Sequence, residues 1–176
     1  ARDHQAVGAV AREVRAGDQR RHGARRGEVI ARVQEEPEVA RWFGMSPAEE
    51  SAEEFISDPE VTGFAIEVEG ALVGAIGFYE ENEPDYRHAG MDLFLAEESR
   101  NQGLGREALR LVAHHLFDRR GHHRLVIDPA AANARAIRAY ESIGFRPVGV
   151  MRSYERGPDG TFHDGLLLDL LRGELR

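Results

Sequence analysis

One stretch joins a short apolar run to a polar loop and then to two glycines: Met91-Asp92-Leu93-Phe94-Leu95-Ala96-Glu97-Glu98-Ser99-Arg100-Asn101-Gln102-Gly103-Leu104-Gly105-Arg106. The apolar run is typical of a strand, and the apolar spacing after Gly103 is typical of a helix. Glycines let a ligand approach the backbone, and a helix amino terminus presents unpaired N–H groups to anions. Arg100 and Arg106 add positive charge at the same point. The stretch therefore predicts a strand, loop and helix that bind phosphate.

The chain on either side of this stretch predicts a mixture of strands and helices. Residues 28–34 and 46–57 are expected to be helical, the second with Ser46 as its N-cap. Strands are expected over residues 64–68, 72–79, 89–95, 124–128, 145–155 and 161–171, and a further helix over 133–142. This order predicts a single α+β (mixed α/β) domain, with a largely antiparallel mixed sheet of about six to seven strands and about four flanking helices.

Composition excludes several classes of protein. The chain has no cysteine, so disulfides, thiolate nucleophiles and cysteine-ligated zinc are excluded. No apolar run is long enough to span a bilayer and no signal peptide is visible, so we expect a cytoplasmic protein with no membrane partner. Residues 27–176 carry a formal charge of −12, which disfavours nucleic acid as a partner and favours cations. Residues 1–26 carry +4 and show no strand alternation, so we predict a weakly structured Arg-rich segment before a domain over residues 27–176.

A dinucleotide-binding fold is the main competing interpretation of the two glycines. Gly103 to Ala108 satisfies the pattern G-x-G-x-x-A, and Asp128 ends the next predicted strand. In that fold the strand runs directly into the first glycine, whereas seven residues intervene here. The preceding strands also form a hairpin rather than parallel units. Arg106 stands where a Walker loop requires lysine, so neither nucleotide fold is favoured.

A second motif lies further along the chain and reads Asn133-Ala134-Arg135-Ala136-Ile137-Arg138-Ala139-Tyr140-Glu141-Ser142-Ile143-Gly144-Phe145. Together with the Arg100 to Gly105 loop, it resembles the GNAT superfamily of N-acetyltransferases, whose R/Q-x-x-G-x-G/A loop and later N-x-x-A-x-x-x-Y helix occur in the same order. The resemblance covers the chain from roughly Pro37 to its carboxyl terminus.

The resemblance implies acetyl-CoA as acetyl donor and a splayed pair of parallel strands that makes room for it. The residues implied to bind it are Leu93, Phe94, Leu95, Arg100, Asn101, Gln102, Gly103, Leu104, Gly105, Arg106, Asn133, Ala136 and Tyr140. Tyr140 is further implied to be the general acid that protonates the departing thiolate after direct attack by the amine. No metal is implied, and the sequence contains no H-E-x-x-H motif.

Within the superfamily the chain is most similar to the aminoglycoside 6′-N-acetyltransferases. Gly90-Met91-Asp92, Ile127-Asp128-Pro129 and the segment around Trp42 carry this likeness. It implies that Trp42, Asp92 and Asp128 bind a small cationic amine, such as an aminoglycoside that is inactivated in antibiotic resistance, and that Asp92 is the catalytic base. His88, a water molecule and the Glu80 loop remain alternatives for the base or for attracting a cation. A ribosomal-type amino-terminal acetyltransferase and a non-catalytic acetyl-CoA-binding module remain open, as do a monomer and a homodimer.

Overall fold

The computed structural model describes residues 10–13, 24–42 and 58–176, with side chains from residue 27 onward. The elements in chain order are β1 (Val10–Glu13), α1 (Ala24–Glu35), α2 (Pro37–Ala40), β2 (Val61–Val68), β3 (Ala71–Glu81), β4 (His88–Leu95), α3 (Leu104–His114), β5 (Arg124–Ile127), α4 (Ala134–Ser142), β6 (Arg146–Arg156) and β7 (Phe162–Leu171). A π-helical turn, His115–Arg119, extends α3. In this part of the chain the predicted α+β domain is confirmed.

The described strands form one seven-stranded sheet in the order β1-β2-β3-β4-β5-β7-β6. The β2–β3 hairpin turns at Glu69 and Gly70, whose φ angles of 51° and 82° suit a tight two-residue turn. Every neighbouring pair is antiparallel except β4 and β5. These two pair only through Ala89 with Leu125 and Gly90 with Val126. Among the described strands, none pairs with the rest of β4 on that side, so the predicted splayed parallel pair is confirmed.

Two apolar clusters cover opposite faces of the sheet. Ile30 and Val33 of α1 pack with Ala75 and Phe94 on one face. The larger cluster contains Met91 and other sheet residues together with side chains of α3 and α4. Since side chains alternate along a strand, Asp92 shares the face of Phe94, whereas Leu93 and Leu95 point toward α3.

The amino-terminal segment contains a strand that the sequence pattern did not indicate. Within residues 1–26, which are expected to be weakly structured, Val10–Glu13 forms an edge strand, with Val10 opposite Glu67 and Glu13 opposite Phe64. The proposed boundary at residue 26 also falls inside α1. Backbone hydrogen bonds to β2 need no apolar alternation in the added strand, which is why the sequence pattern missed it. The predicted helix over residues 46–57 lies outside the described residues.

No helix in the described ranges is both long and apolar enough to cross a membrane.

Candidate active site

The loop between β4 and α3 has the backbone geometry of an anion cradle. Asn101 and Gly103 both adopt positive φ, 61° and 89°, which turns the chain sharply before Leu104 begins the helix. Gly103 is the N-cap and has no side chain to accept from the first N–H groups of α3. A Cβ added at Gly103 would come no closer than 3.8 Å to Arg106. The helix start is therefore open to an anionic ligand.

Gly105 lets α3 approach β4 closely. A Cβ at this position would lie 3.3 Å from the side chains of both Leu93 and Leu95. The missing side chain therefore allows the helix to pack against the strand. Gly105 and the two leucines all line the adjoining cavity.

Arg100 is fixed beneath the loop by two contacts. Its Nε donates to the Leu95 carbonyl at 2.9 Å, and its Nη2 lies 3.2 Å from the Glu36 carboxylate. The same Glu36 oxygen accepts the Glu97 N–H at 2.7 Å. Nη1 of Arg100 is buried and has no hydrogen-bond partner in the described part of the chain. A buried guanidinium with an unused donor fits a phosphate-bearing ligand.

A cavity of about 460 Å³ opens where β4 and β5 part, and we call it the arginine cavity. Arg100, Arg106, Arg135 and Arg138 give it a positive wall, and Glu38 is the one acid among the lining residues that the structure describes. It is also lined by Leu93, Phe94, Leu95, Asn101, Gly103, Leu104, Gly105, Asn133, Ala136 and Tyr140. Of the residues predicted to bind acetyl-CoA, Gln102 alone does not line it, because its amide nitrogen donates to the Glu98 carbonyl at 2.7 Å.

A second cavity of about 530 Å³ adjoins the first, and we call it the acidic cavity. Asp92, Asp128 and Glu155 line it, and none of the lining residues in the described ranges is Arg or Lys. The two cavities share Trp42, Leu93, Asn133 and Tyr140, so they meet along β4 and the start of α4. The three residues predicted to bind an acceptor, Trp42, Asp92 and Asp128, are thus brought together.

Asp92 is the carboxyl group whose pKa the site perturbs most clearly. Its side chain is open to the acidic cavity, while protein atoms enclose it on the other sides. This burial, together with the negative charges of Asp128 and Glu155, raises the pKa of Asp92 to about 6. A carboxyl group with this pKa is mostly ionised at pH 7 and accepts a proton readily.

Tyr140 lies between the two cavities with its ring packed against Phe145, the ring centroids being 6.1 Å apart. Burial and the charges of Asp92 and Asp128 raise the pKa of Tyr140. Its phenol therefore stays protonated at any pH at which the protein would work.

Asn133 lies four residues after Pro129 and caps α4. Its side-chain oxygen accepts the Ala136 N–H at 3.1 Å.

Sequence reasoning missed Tyr154 and Glu155, which also line the acidic cavity. The Tyr154 hydroxyl donates a hydrogen bond to the Asp128 carboxylate. Burial and the Asp128 charge raise the pKa of Glu155. A bulge between Met151 and Glu155 sets which side chains of β6 face the cavity, and simple alternation cannot reveal it.

Two sequence alternatives lie elsewhere in the structure. His88 lines neither cavity; its Nδ1 lies 2.7 Å from the Tyr86 carbonyl, and its ring meets Tyr79 edge-on. Glu80 binds Arg120 and the buried His122 instead of facing an open surface. Its hydrogen bond from Arg120 is the main reason that the pKa of Glu80 is lowered. In the described ranges, no group of three or more His, Asp or Glu side chains could hold a metal ion.

Comparison with known proteins places this geometry in a family. Residues 24–146 match the acetyltransferase (GNAT) domain family. Because this match spans more than half of the chain, the protein belongs to the GNAT acetyltransferase domain family.

Individual proteins of known name or structure are also similar to this chain. The aminoglycoside N(6′)-acetyltransferase type 1 of Klebsiella pneumoniae is 36% identical over 91 residues, which are 51% of this chain and 43% of that protein. The chain thus matches less than half the length of this curated relative. The solved structure of AAC(6′)-Ib with ribostamycin and coenzyme A is 21% identical, with a TM-score of 0.72 and 94% coverage of each chain. Spermidine N-acetyltransferase from Vibrio cholerae, solved with CoA and spermine, is 20% identical with a TM-score of 0.75, over 94% of this chain and 96% of that one. The two solved structures share the fold.

Proposed function

We propose that the chain is an N-acetyltransferase that moves an acetyl group from acetyl-CoA to a primary amine of a small cationic acceptor, an aminoglycoside being one such acceptor. The observation that carries this proposal is the meeting of the arginine cavity and the acidic cavity at Tyr140 and Leu93. One cavity suits an anionic donor, and the other suits a cation. The sequence likeness to an aminoglycoside N(6′)-acetyltransferase supports the same acceptor class.

The arginine cavity is proposed to bind acetyl-CoA, which supplies an activated acetyl group as a thioester. The open N–H groups at the start of α3 and the unused Nη1 of Arg100 fit its phosphate groups. Arg106, Arg135 and Arg138 add positive charge along the same wall. Leu93 and Leu95 offer an apolar surface for the less polar arm of the molecule.

Asp92 is proposed as the base. Amines of cationic acceptors are mostly protonated at pH 7, and only the neutral amine attacks a thioester. The Asp92 carboxylate would accept the amine proton directly or through a water molecule, and its pKa of about 6 suits this exchange near neutral pH. Asp128 and Glu155 would hold further ammonium groups of the acceptor.

Tyr140 is proposed as the donor to the departing sulfur. Its hydroxyl proton is retained because the pKa is raised, and the residue borders both cavities. The raised pKa also makes the phenol a weaker acid. We therefore expect a strong hydrogen bond to the leaving group, with proton transfer completed as negative charge develops there.

The experiment that tests this function is an amine panel assayed by release of the CoA thiol. Ribostamycin, spermine and a short peptide with a free amino terminus represent the competing acceptor classes. We expect release with one or both polyamines and little with the peptide. Preference for the peptide would favour a ribosomal-type amino-terminal acetyltransferase. Binding of acetyl-CoA by calorimetry without turnover on any amine would favour the non-catalytic module.

A further inference from the structure

Strand β6 carries a bulge opposite a single residue of β7. Met151 pairs with Gly165 and Glu155 with His163, so three residues of β6 face Asp164 alone. In the middle of the bulge Ser153 adopts a φ of 49°, an uncommon conformation for a residue with a side chain. The Ser153 N–H donates to the Asp164 carboxylate at 2.8 Å, which holds this conformation in place.

The bulge turns Tyr154 toward the acidic cavity, where two neighbours define its position. A Cβ at Gly165 would lie 2.8 Å from the Tyr154 ring, so the ring rests against bare backbone. The Tyr154 hydroxyl donates to one oxygen of Asp128. That hydrogen bond is the first cause of the raised pKa of Tyr154.

Asp164 also fixes the segment that follows Asp128. The Asp164 carbonyl accepts the Ala131 N–H at 2.8 Å, and the Leu166 N–H donates to the Pro129 carbonyl at 2.9 Å. The side chain of Asp164 therefore holds the Tyr154 bulge while its backbone holds the Asp128 loop. Both partners of the Tyr154–Asp128 hydrogen bond are tied to one residue of β7.

We propose that Tyr154 is a positioning residue that pins Asp128 in the acidic cavity, preset by the bulge that Asp164 holds. The pinned carboxylate keeps its second oxygen available for an ammonium group of the acceptor. A carboxylate that cannot rotate loses less entropy when it binds a cation, so affinity for the acceptor rises. This inference rests on the proposed function and extends it to a residue that no sequence motif marks.

A double-mutant cycle on the full chain tests the inference with ribostamycin as acceptor. Tyr154→Phe removes the hydroxyl and keeps the ring, and we expect it to raise the KM for ribostamycin about three- to tenfold, the worth of one hydrogen bond. The kcat and the KM for acetyl-CoA should change little. The double variant with Asp128→Asn should be no worse than Asp128→Asn alone, because Tyr154 acts through Asp128.

Other kinetic outcomes would overturn the inference. Tyr154→Phe with a wild-type KM, or losses that add in the double variant, would show that the hydroxyl does not act through Asp128. A loss seen in Tyr154→Leu and absent in Tyr154→Phe would assign the ring to direct stacking on the acceptor. Asp164 gives a matched pair, because Asp164→Asn keeps the oxygen that accepts the Ser153 N–H. Asp164→Ala should raise the KM for ribostamycin as Tyr154→Phe does, and Asp164→Asn should recover most of that loss.

A measurement that needs no turnover separates this inference from the proposed function. With tyrosines labelled at the ring carbon that bears the hydroxyl, NMR at neutral pH reports the hydrogen bonding of each phenol through the chemical shift of that carbon. Asp128→Asn should move the Tyr154 resonance and leave that of the exposed Tyr86 in place. Wild-type protein that acetylates no amine would defeat the proposed function, while this measurement would still decide the inference. A Tyr154 resonance that does not respond to Asp128→Asn would overturn the inference even if the enzyme is active.

Discussion

Asp92 and Asp128 line the same cavity, and the negative charge of Asp128 adds to burial in raising the pKa of Asp92 to about 6. The two carboxylates come from β4 and from the end of β5, the parallel strands that separate after Gly90 and Val126. The strands thus separate at the point where the two carboxylates come to line one cavity.

Asp92→Asn should lower the amine-dependent rate about 10²-fold, because it removes the proposed base and keeps the shape. The pH profile gives the sharper measurement. In wild-type protein kcat/KM should rise through pH 6, since protonated Asp92 cannot accept a proton below its pKa. The variant should lack this break and recover part of its rate at higher pH, where more amine is already neutral.

Asp128→Asn is a matched control for that profile. It removes one of the charges that raise the pKa of Asp92, so the break should move to lower pH without disappearing. A profile of Asp92→Asn that still breaks near pH 6, with a rate near wild type, would exclude Asp92 as the base.

Tyr140→Phe should lower kcat about 10²-fold or more while the Kd for acetyl-CoA changes little, because the phenyl ring keeps its packing on Phe145. Single-turnover kinetics and calorimetry measure the two quantities separately. The urea midpoint serves as the control for folding. A variant that loses stability and retains wild-type kcat would show that Tyr140 acts only in the core.

Gly105→Val should weaken acetyl-CoA binding by pressing on Leu93 and Leu95, which a Cβ would already approach at 3.3 Å. We expect a rise in Kd of about tenfold, measured by calorimetry, from overpacking worth about 1–3 kcal/mol. Gly149→Ala is the control, because a Cβ there meets nothing within 4 Å. Equal Kd values for Gly105→Val and wild type would show that the close packing of α3 on β4 does not determine how well the cavity binds acetyl-CoA.

Local signals account for most of what the sequence predicted. The turn between the predicted strands 64–68 and 72–79, the helix that begins after Gly103 and the helix over 133–142 each depend on a few adjacent residues, and all three appear in the structure. β1 was missed because its partner β2 lies more than 40 residues away, and pairing at an edge leaves little trace in the added strand.

In the candidate site, too, local sequence signals predicted some residues, and contacts between distant parts of the chain determined others. The two motifs marked many of the residues that line the arginine cavity, although Gln102 does not line it, and the likeness to aminoglycoside acetyltransferases grouped Asp92 with Asp128. They could not reveal Tyr154, because its direction depends on a bulge held by Asp164 on the neighbouring strand. Nor could they show that Glu80, within a run of acids, is paired across the sheet with His122.

Glu80→Gln should reduce stability without changing the acceptor KM. The Glu80 carboxylate binds Arg120 and lies 2.7 Å from Nε2 of His122, and neither cavity includes it. Removing the charge should lower the free energy of unfolding at pH 7 by about 1–3 kcal/mol, as expected for a hydrogen bond to a charged group. Urea unfolding followed by circular dichroism measures this change, and Glu83→Gln, at an exposed position just after β3, is the control.

The pH dependence of the stability difference between wild type and Glu80→Gln follows from the direction in which the pKa of Glu80 is shifted. The pKa of Glu80 is lowered in the folded protein, so its contribution is fully present above the unfolded value of about 4.3. It is lost as pH falls through the folded pKa, because Glu80 then becomes protonated in both states. The stabilities of wild type and Glu80→Gln should therefore approach each other as pH falls below the unfolded value. A stability difference that stays constant from pH 7 to pH 3.5 would show that the charge of Glu80 is not its source. A raised KM of Glu80→Gln for ribostamycin would show that Glu80 contributes to acceptor binding after all.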